Sequence, residues 1–165
     1  MQEGLVRTTF NNGPIEGVVI RTLQRYVDAR GWLTELFRED EVASEFMPAM
    51  GYVSMTAAGV ARGPHEHRNQ ADFFAFIGPS DFQISLWDNR STSPTFRNRQ
   101  VITAGQSAPV ALIIPRGVVH AYKNIGTHEG MVLNFPNRLY AGKGKREPVD
   151  EIRHEADPNS EFALE

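Results

Sequence analysis

Cysteine is absent from the 165-residue chain. Its absence excludes disulfides and thiolate chemistry, and leaves nitrogen and oxygen as the donors for any metal. Long apolar runs are lacking too. Nothing approaches the roughly 20 residues of a membrane span, and the opening Met1-Gln-Glu-Gly-Leu-Val-Arg7 has no extended apolar stretch of a signal peptide. A soluble cytoplasmic protein with no membrane partner is the expectation. A strong charge of either sign is also missing. The formal charge of -3 gives no general attraction for a polyanion, and Arg97-Asn-Arg99 is too short for a nucleic-acid surface, so no nucleic acid is expected as a partner. Helical pattern is scarce, with one or two turns expected around 38–46. No repeat longer than a hairpin is evident.

What remains is an apolar fraction of 41%, enough for one substantial core. Short runs rich in Val, Ile, Phe, Tyr and Thr alternate with glycine and proline turn signals: 18–20, 32–37, 51–56, 72–77, 82–87, 100–103, 110–114 and 130–135. Phe82-Gln-Ile-Ser-Leu-Trp87 alternates most clearly, with Phe82, Ile84 and Leu86 on one side. Such spacing predicts a barrel or sandwich in a single domain over 1–165, with an N-terminal strand extension. From Tyr140 the chain turns polar and glycine-rich, which reads as a crossing loop and C-terminal tail. The closing Leu164-Glu165 is assigned no function. Phe73, Phe74, Phe76 and Phe82 are expected in the core or on a dimer surface, and His128 and His154 at the surface.

Three of the five histidines stand in two patches: Arg62-Gly-Pro-His65-Glu-His67 and, some fifty residues on, Pro115-Arg-Gly-Val-Val-His120-Ala-Tyr-Lys-Asn124. Residues two apart on a strand point to the same side, so three imidazoles can meet in one interior. With the glycines at 59, 78 and 117, the patches resemble the two motifs of the cupin superfamily, with Asp72 where glutamate is usual. That resemblance implies an all-β double-stranded β-helix, a jelly-roll barrel with short helical turns. His65, His67, Asp72 and His120 then form a candidate site for one divalent transition metal (Zn, Fe, Ni or Mn), a donor set that suits these ions better than Mg or Ca. The alternative is that His67 makes a hydrogen bond across the pocket while Asp72 begins a strand facing solvent.

The flanking sequence is more specific. Asp28-Ala-Arg30-Gly31-Trp-Leu-Thr-Glu35, Val60-Ala-Arg62-Gly63-Pro-His65, Asp88-Asn-Arg90-Ser-Thr-Ser93-Pro94-Thr95-Phe96, Ile114-Pro115-Arg-Gly117-Val-Val-His120 and Asp157-Pro158 form five ordered blocks. Together they resemble the dTDP-4-dehydrorhamnose 3,5-epimerase family within that superfamily. The resemblance implies a homodimer that binds a nucleotide-diphospho-4-keto-sugar in the barrel mouth and requires no cofactor. It implies His65 as the base that removes a proton beside the ketone, and Asp157 as the carboxylate that orients it. Arg30, Glu35, Arg62, His120 and Asn134 become substrate-binding candidates, the arginines because a guanidinium can clamp two phosphate oxygens.

This chain departs from the family pattern at two helpers. The family's lysine falls at Ala71, and its tyrosine near Asn134-Phe135, where an amide has neither the acidity nor the reach of a phenol. Lys123 and Tyr140 are potential substitutes. A metal could polarise the ketone in place of the lysine, but a His65 nitrogen bound to metal cannot also be a base. The leading expectation is therefore a divergent nucleotide-sugar epimerase-like enzyme. The alternatives are a metal-dependent cupin isomerase or oxygenase using the three histidines, and a non-catalytic sugar-nucleotide binding protein.

Overall fold

The alternating runs become strands of two facing sheets in the computed structural model, which describes residues 9–164. The opening segment read for a leader lies outside the described residues. One sheet has the order β1 (Asn11–Asn12), β9 (Asn98–Gly105), β8 (Asp81–Asp88), β11 (Val118–Asn124), β6 (Ala61–Glu66), β13 (Ile152–Arg153). The other has the order β2 (Val19–Thr22), β10 (Val110–Ile114), β7 (Asp72–Phe76), β12 (Gly130–Asn134), β5 (Tyr52–Thr56). Strands β3 (Tyr26–Asp28) and β4 (Gly31–Leu33) form a separate hairpin. From β5 to β13 the chain alternates between the sheets at every step except the β8–β9 hairpin, as in the expected jelly roll.

The space between the sheets is filled by the inward set of each strand: Phe74 and Phe76, Phe82, Ile84 and Leu86, Leu112 and Ile114, Val118 and Tyr122, and Val132. Several central strands are buried on their outer faces as well. Leu36, Phe37, Val42 and Phe46 cover Phe73, Ala111 and Ile113, so the 36–46 stretch serves as an apolar cover, with a hydrogen-bonded turn at Arg38–Val42 and a 3-10 turn at Ser44–Phe46. On the other sheet, Phe162 and Leu164 pack against Trp87, Val119 and Ala121. The polar tail thus returns to close the barrel wall, and Leu164 has a packing role that its terminal position did not suggest.

Candidate active site

Two antiparallel pairings bring the histidine patches together. Strand β11 pairs with β6 so that His120 lies opposite His65, with a register shift just beyond it. Gly63 makes this approach possible: at φ 85° it adopts a conformation that favours glycine, and a Cβ there would meet the His120 carbonyl oxygen at 2.5 Å. The His65 and His120 rings stand 4.5 Å apart, edge to face. His67 lies one residue past the end of β6. Asp72, the first residue of β7, reaches the same centre from the facing sheet and is buried rather than turned to solvent.

The donor atoms of His65, His67, Asp72 and His120 all lie within 4.8 Å of one another. The neighbours of each ring fix what it can do. His67 Nδ1 donates to the backbone carbonyl of Asp150, and His120 Nδ1 donates to that of Val118 at 3.0 Å. When the rings are neutral, both Nε2 atoms therefore carry lone pairs. They face the same carboxylate oxygen, Asp72 Oδ2, at 3.0 and 3.1 Å. Asp72 Oδ1 is already occupied by amide donors, Gln70 Nε2 at 2.9 Å and Asn134 Nδ2 at 3.0 Å. Oδ2 and His120 Nε2 are buried without a hydrogen-bond partner.

Lone pairs aimed at a carboxylate oxygen repel unless positive charge lies among them. A divalent ion fits this arrangement on three counts: the unsatisfied buried atoms, the imidazole tautomers fixed by backbone carbonyls, and the 3.0 and 3.1 Å spacings from Asp72 Oδ2 to the two imidazole nitrogens, which suit neighbouring donors on one first-row ion at about 2.1 Å. With protein groups alone, a proton serves instead. Burial opposes charge on His67, but the Asp72 carboxylate and then the Asp150 carbonyl outweigh it and raise the pKa to about 9. The same contacts, with His120 first, hold Asp72 well below the usual carboxylate range despite its burial. His65 moves the other way, to about 2, because of burial first and then the neighbouring imidazoles His120 and His67.

Above the centre opens a cavity of about 800 Å³, within the range of small-molecule sites. Arg62, His65, His67, Tyr122 and Tyr140 line it, together with Tyr52, which belongs to no motif in the sequence. Its position becomes visible only through strand pairing, because Tyr52 is the cross-strand partner of Asn134. Asn134 is buried and donates to the Tyr52 hydroxyl at 2.9 Å. Tyr52 is half exposed, with its ring against the cavity wall, and partial desolvation there is the largest influence raising its phenol to about 12.

Other expectations require correction. The His65–Asp157 pair is not formed. Asp157 is exposed beyond the 3-10 turn His154–Ala156 and accepts a hydrogen bond from the backbone N–H of Asn159. Because β13 pairs with β6, Glu151 takes the place beside His65, with its Oε1 3.9 Å from Nδ1. Arg30 is outside the cavity, on the exposed β3–β4 hairpin, bonded to Asp28. Glu35 is likewise outside the cavity, near Arg38. Arg62 stays in the lining, held by Thr56 Oγ1 and the Met55 carbonyl. Ala71 is buried and supplies no cation, and Lys123 does not line the cavity. His154 is not a free surface residue: its Nε2 meets Glu66 Oε1 at 2.8 Å and its ring packs against Phe162.

A jelly-roll barrel with an imidazole cluster beneath an open cavity defines the class. The chain belongs to the dTDP-4-dehydrorhamnose 3,5-epimerase family, which it matches over residues 12–147. It is 34% identical over 152 residues to the probable low-salt glycan biosynthesis epimerase Agl13 of Haloferax volcanii, covering 90% of this chain and 97% of that one. It is 31% identical over 151 residues to the spore coat polysaccharide biosynthesis protein SpsL of Bacillus subtilis, covering 90% and 99%. Among solved structures, a dTDP sugar isomerase from Desulfovibrio desulfuricans superimposes with a TM-score of 0.78 at 20% identity, covering 90% of this chain and 91% of that one. This last likeness bears on the architecture alone.

Proposed function

We propose that this protein is a nucleotide-sugar epimerase-like enzyme that moves a proton on a carbon beside a ketone of a nucleotide-diphospho-sugar. The observation that carries the reading is the placement of His65 in the lining of a cavity of about 800 Å³, beside the cluster of His67, Asp72 and His120. A ketone lowers the barrier to removing a neighbouring C–H proton, and His65, whose pKa burial and the neighbouring imidazoles lower to about 2, presents a lone pair to take it. Its low pKa also makes it a weak base, so the oxyanion that develops needs a strong electrophile.

The imidazolium of His67 is available for that role and replaces the lysine absent at Ala71. Glu151, the carboxylate beside His65, is assigned the orienting role expected of Asp157. Arg62 is the diphosphate candidate among the lining residues, with its guanidinium already fixed by Thr56 and Met55. His120 and Asn134 act through Asp72 and Tyr52 rather than as separate sugar contacts.

A metal-containing form is favoured by a specific observation, the orphaned Asp72 Oδ2 and His120 Nε2. A divalent ion held by His67, Asp72 and His120 would supply Lewis acidity to a ketone oxygen. Because the close contacts join those three residues while His65 faces Glu151, the proton-removing role stays with His65. We also assign a homodimer, in which a second copy covers exposed apolar residues such as Tyr26, Val27, Leu33 and Val53. Sedimentation at micromolar concentration checks it.

Incubation with dTDP- and UDP-linked 4-keto-6-deoxyhexoses in deuterated water tests the main reading. Deuterium is expected at a carbon adjacent to the ketone, and no exchange with or without added Zn, Fe, Ni or Mn rules it out. Elemental analysis after chelation and repletion tests the metal: one ion per chain is expected, lost in Asp72→Ala.

A further inference from the structure

Inverting a carbon requires that the proton leave from one face and another arrive on the opposite face. A single group that removes and returns it regenerates the starting configuration. The proposed function, on which this inference rests, supplies the first group as His65, on β6 of the six-stranded sheet. The second must come from across the cavity.

Of the lining residues on the facing five-stranded sheet, Tyr52 carries an acidic proton suited to delivery. Its setting also determines which way its hydrogen bond runs. Asn134 Oδ1 accepts the backbone N–H of Phe73 at 3.2 Å, so the NH₂ end of the amide must face Tyr52. The phenol oxygen is thus the acceptor at 2.9 Å, and its own proton remains for a ligand. Asn134 is itself immobilised by its second bond, to Asp72 Oδ1.

The other two phenols in the lining are placed differently. Tyr122 is on β11, in the same sheet as His65; its ring packs among Phe74, Phe76 and Phe82, and its hydroxyl meets Ser54 Oγ at 3.3 Å. Tyr140 belongs to the loop beyond β12, outside both sheets.

We propose that Tyr52 is the catalytic acid that delivers a proton to the face of the sugar opposite His65. In that step the phenolic O–H bond breaks and a C–H bond forms at the enolate carbon, while the enolate electron pair supplies the new bond and the C=O is restored. The resulting phenolate is held by the Asn134 N–H and takes a proton back from water, while His65 releases the proton it removed to solvent, so that no net proton is gained or lost. The phenol missing at Asn134 has, in effect, been supplied by the residue directly across the strand pair.

The test compares wild type with Tyr52→Phe on dTDP- and UDP-linked 4-keto-6-deoxyhexoses in deuterated water, with exchange and epimer formation followed separately by NMR. In Y52F, deuterium exchange is expected to persist within about tenfold, while inverted product falls by about 10²-fold or more. Inversion at the wild-type rate overturns the proposal. So does a parallel loss of exchange and inversion, which would mark a role before proton removal. A wild type that neither exchanges nor inverts sinks the epimerase reading itself. As a second measurement, 3-fluorotyrosine at position 52 is expected to shift the pH profile of inversion and leave that of exchange in place; unchanged profiles for both overturn the proposal.

Discussion

Two buried carboxylates, Asp72 and Asp88, sit in the same barrel and are treated in opposite ways. Both oxygens of Asp88 are saturated: Oδ1 accepts the backbone N–H and Nε of Arg90, and Oδ2 accepts Arg90 Nη2, Ser93 Oγ and Thr95 Oγ1. Asp72 has one oxygen tied by two amides, while the other faces two imidazole nitrogens at 3.0 and 3.1 Å and is satisfied only when a proton or a cation lies among them. A saturated carboxylate holds a turn in place. One left half-satisfied at the floor of a cavity keeps binding capacity in reserve, at a cost in stability that the remaining structure must offset.

The largest expected effect is on chemistry at the unsaturated centre. His65→Asn should reduce deuterium exchange by about 10²- to 10⁴-fold with the melting temperature little changed; exchange at the wild-type rate would remove His65 from the reaction. The contrast between the carboxylates is sharpened by matched amides. Asp88→Asn should lose about 3 kcal/mol of stability in urea titration, because charged hydrogen bonds from Arg90 are lost and its guanidinium is left without its anion. In Asp72→Asn, measured free of metal, the loss should stay within about 1 kcal/mol, since the imidazolium of His67 can revert to neutral imidazole. Equal losses in the two would break the comparison.

A smaller effect is expected one layer out. Gln70→Ala frees Asp72 Oδ1 from one of its two amides and should weaken divalent metal binding by about tenfold, as read by competition with a chromophoric chelator. The smallest effect is in acid. Burial raises the Asp88 pKa, but hydrogen bonds led by Arg90 outweigh it and lower it to about 2 from an ordinary 3.8. Its stabilising contribution is therefore complete above pH 3.8 and disappears as the pH falls towards 2. Urea midpoints between those values should fall more steeply for wild type than for Asp88→Asn.

Much of the architecture was legible because burial leaves a local trace. The alternation of Phe82, Ile84 and Leu86 and the apolar run Val110-Ala-Leu-Ile-Ile114 both mark strands, and both lie in the core. The histidine patches were legible because spacing along a strand fixes the side on which a residue falls. The orienting carboxylate was not. Asp157 and Glu151 are both acids in a polar tail, and only the pairing of Ile152 with Glu66 and of Arg153 with His65 decides which one stands beside the imidazole. Tyr52 was invisible for the same reason, since it and Asn134 are 82 residues apart.

By itself the sequence determined the class of fold and the set of side chains able to bind a cation or move a proton, because alternation and residue chemistry are local properties. The tertiary structure alone decided the pairings: which oxygen of Asp72 remains open, which carboxylate reaches His65, and which residue lies across the strand pair from Asn134. Those choices depend on the register between strands distant in the chain, where a slip of one residue sends a side chain to the other face of the sheet.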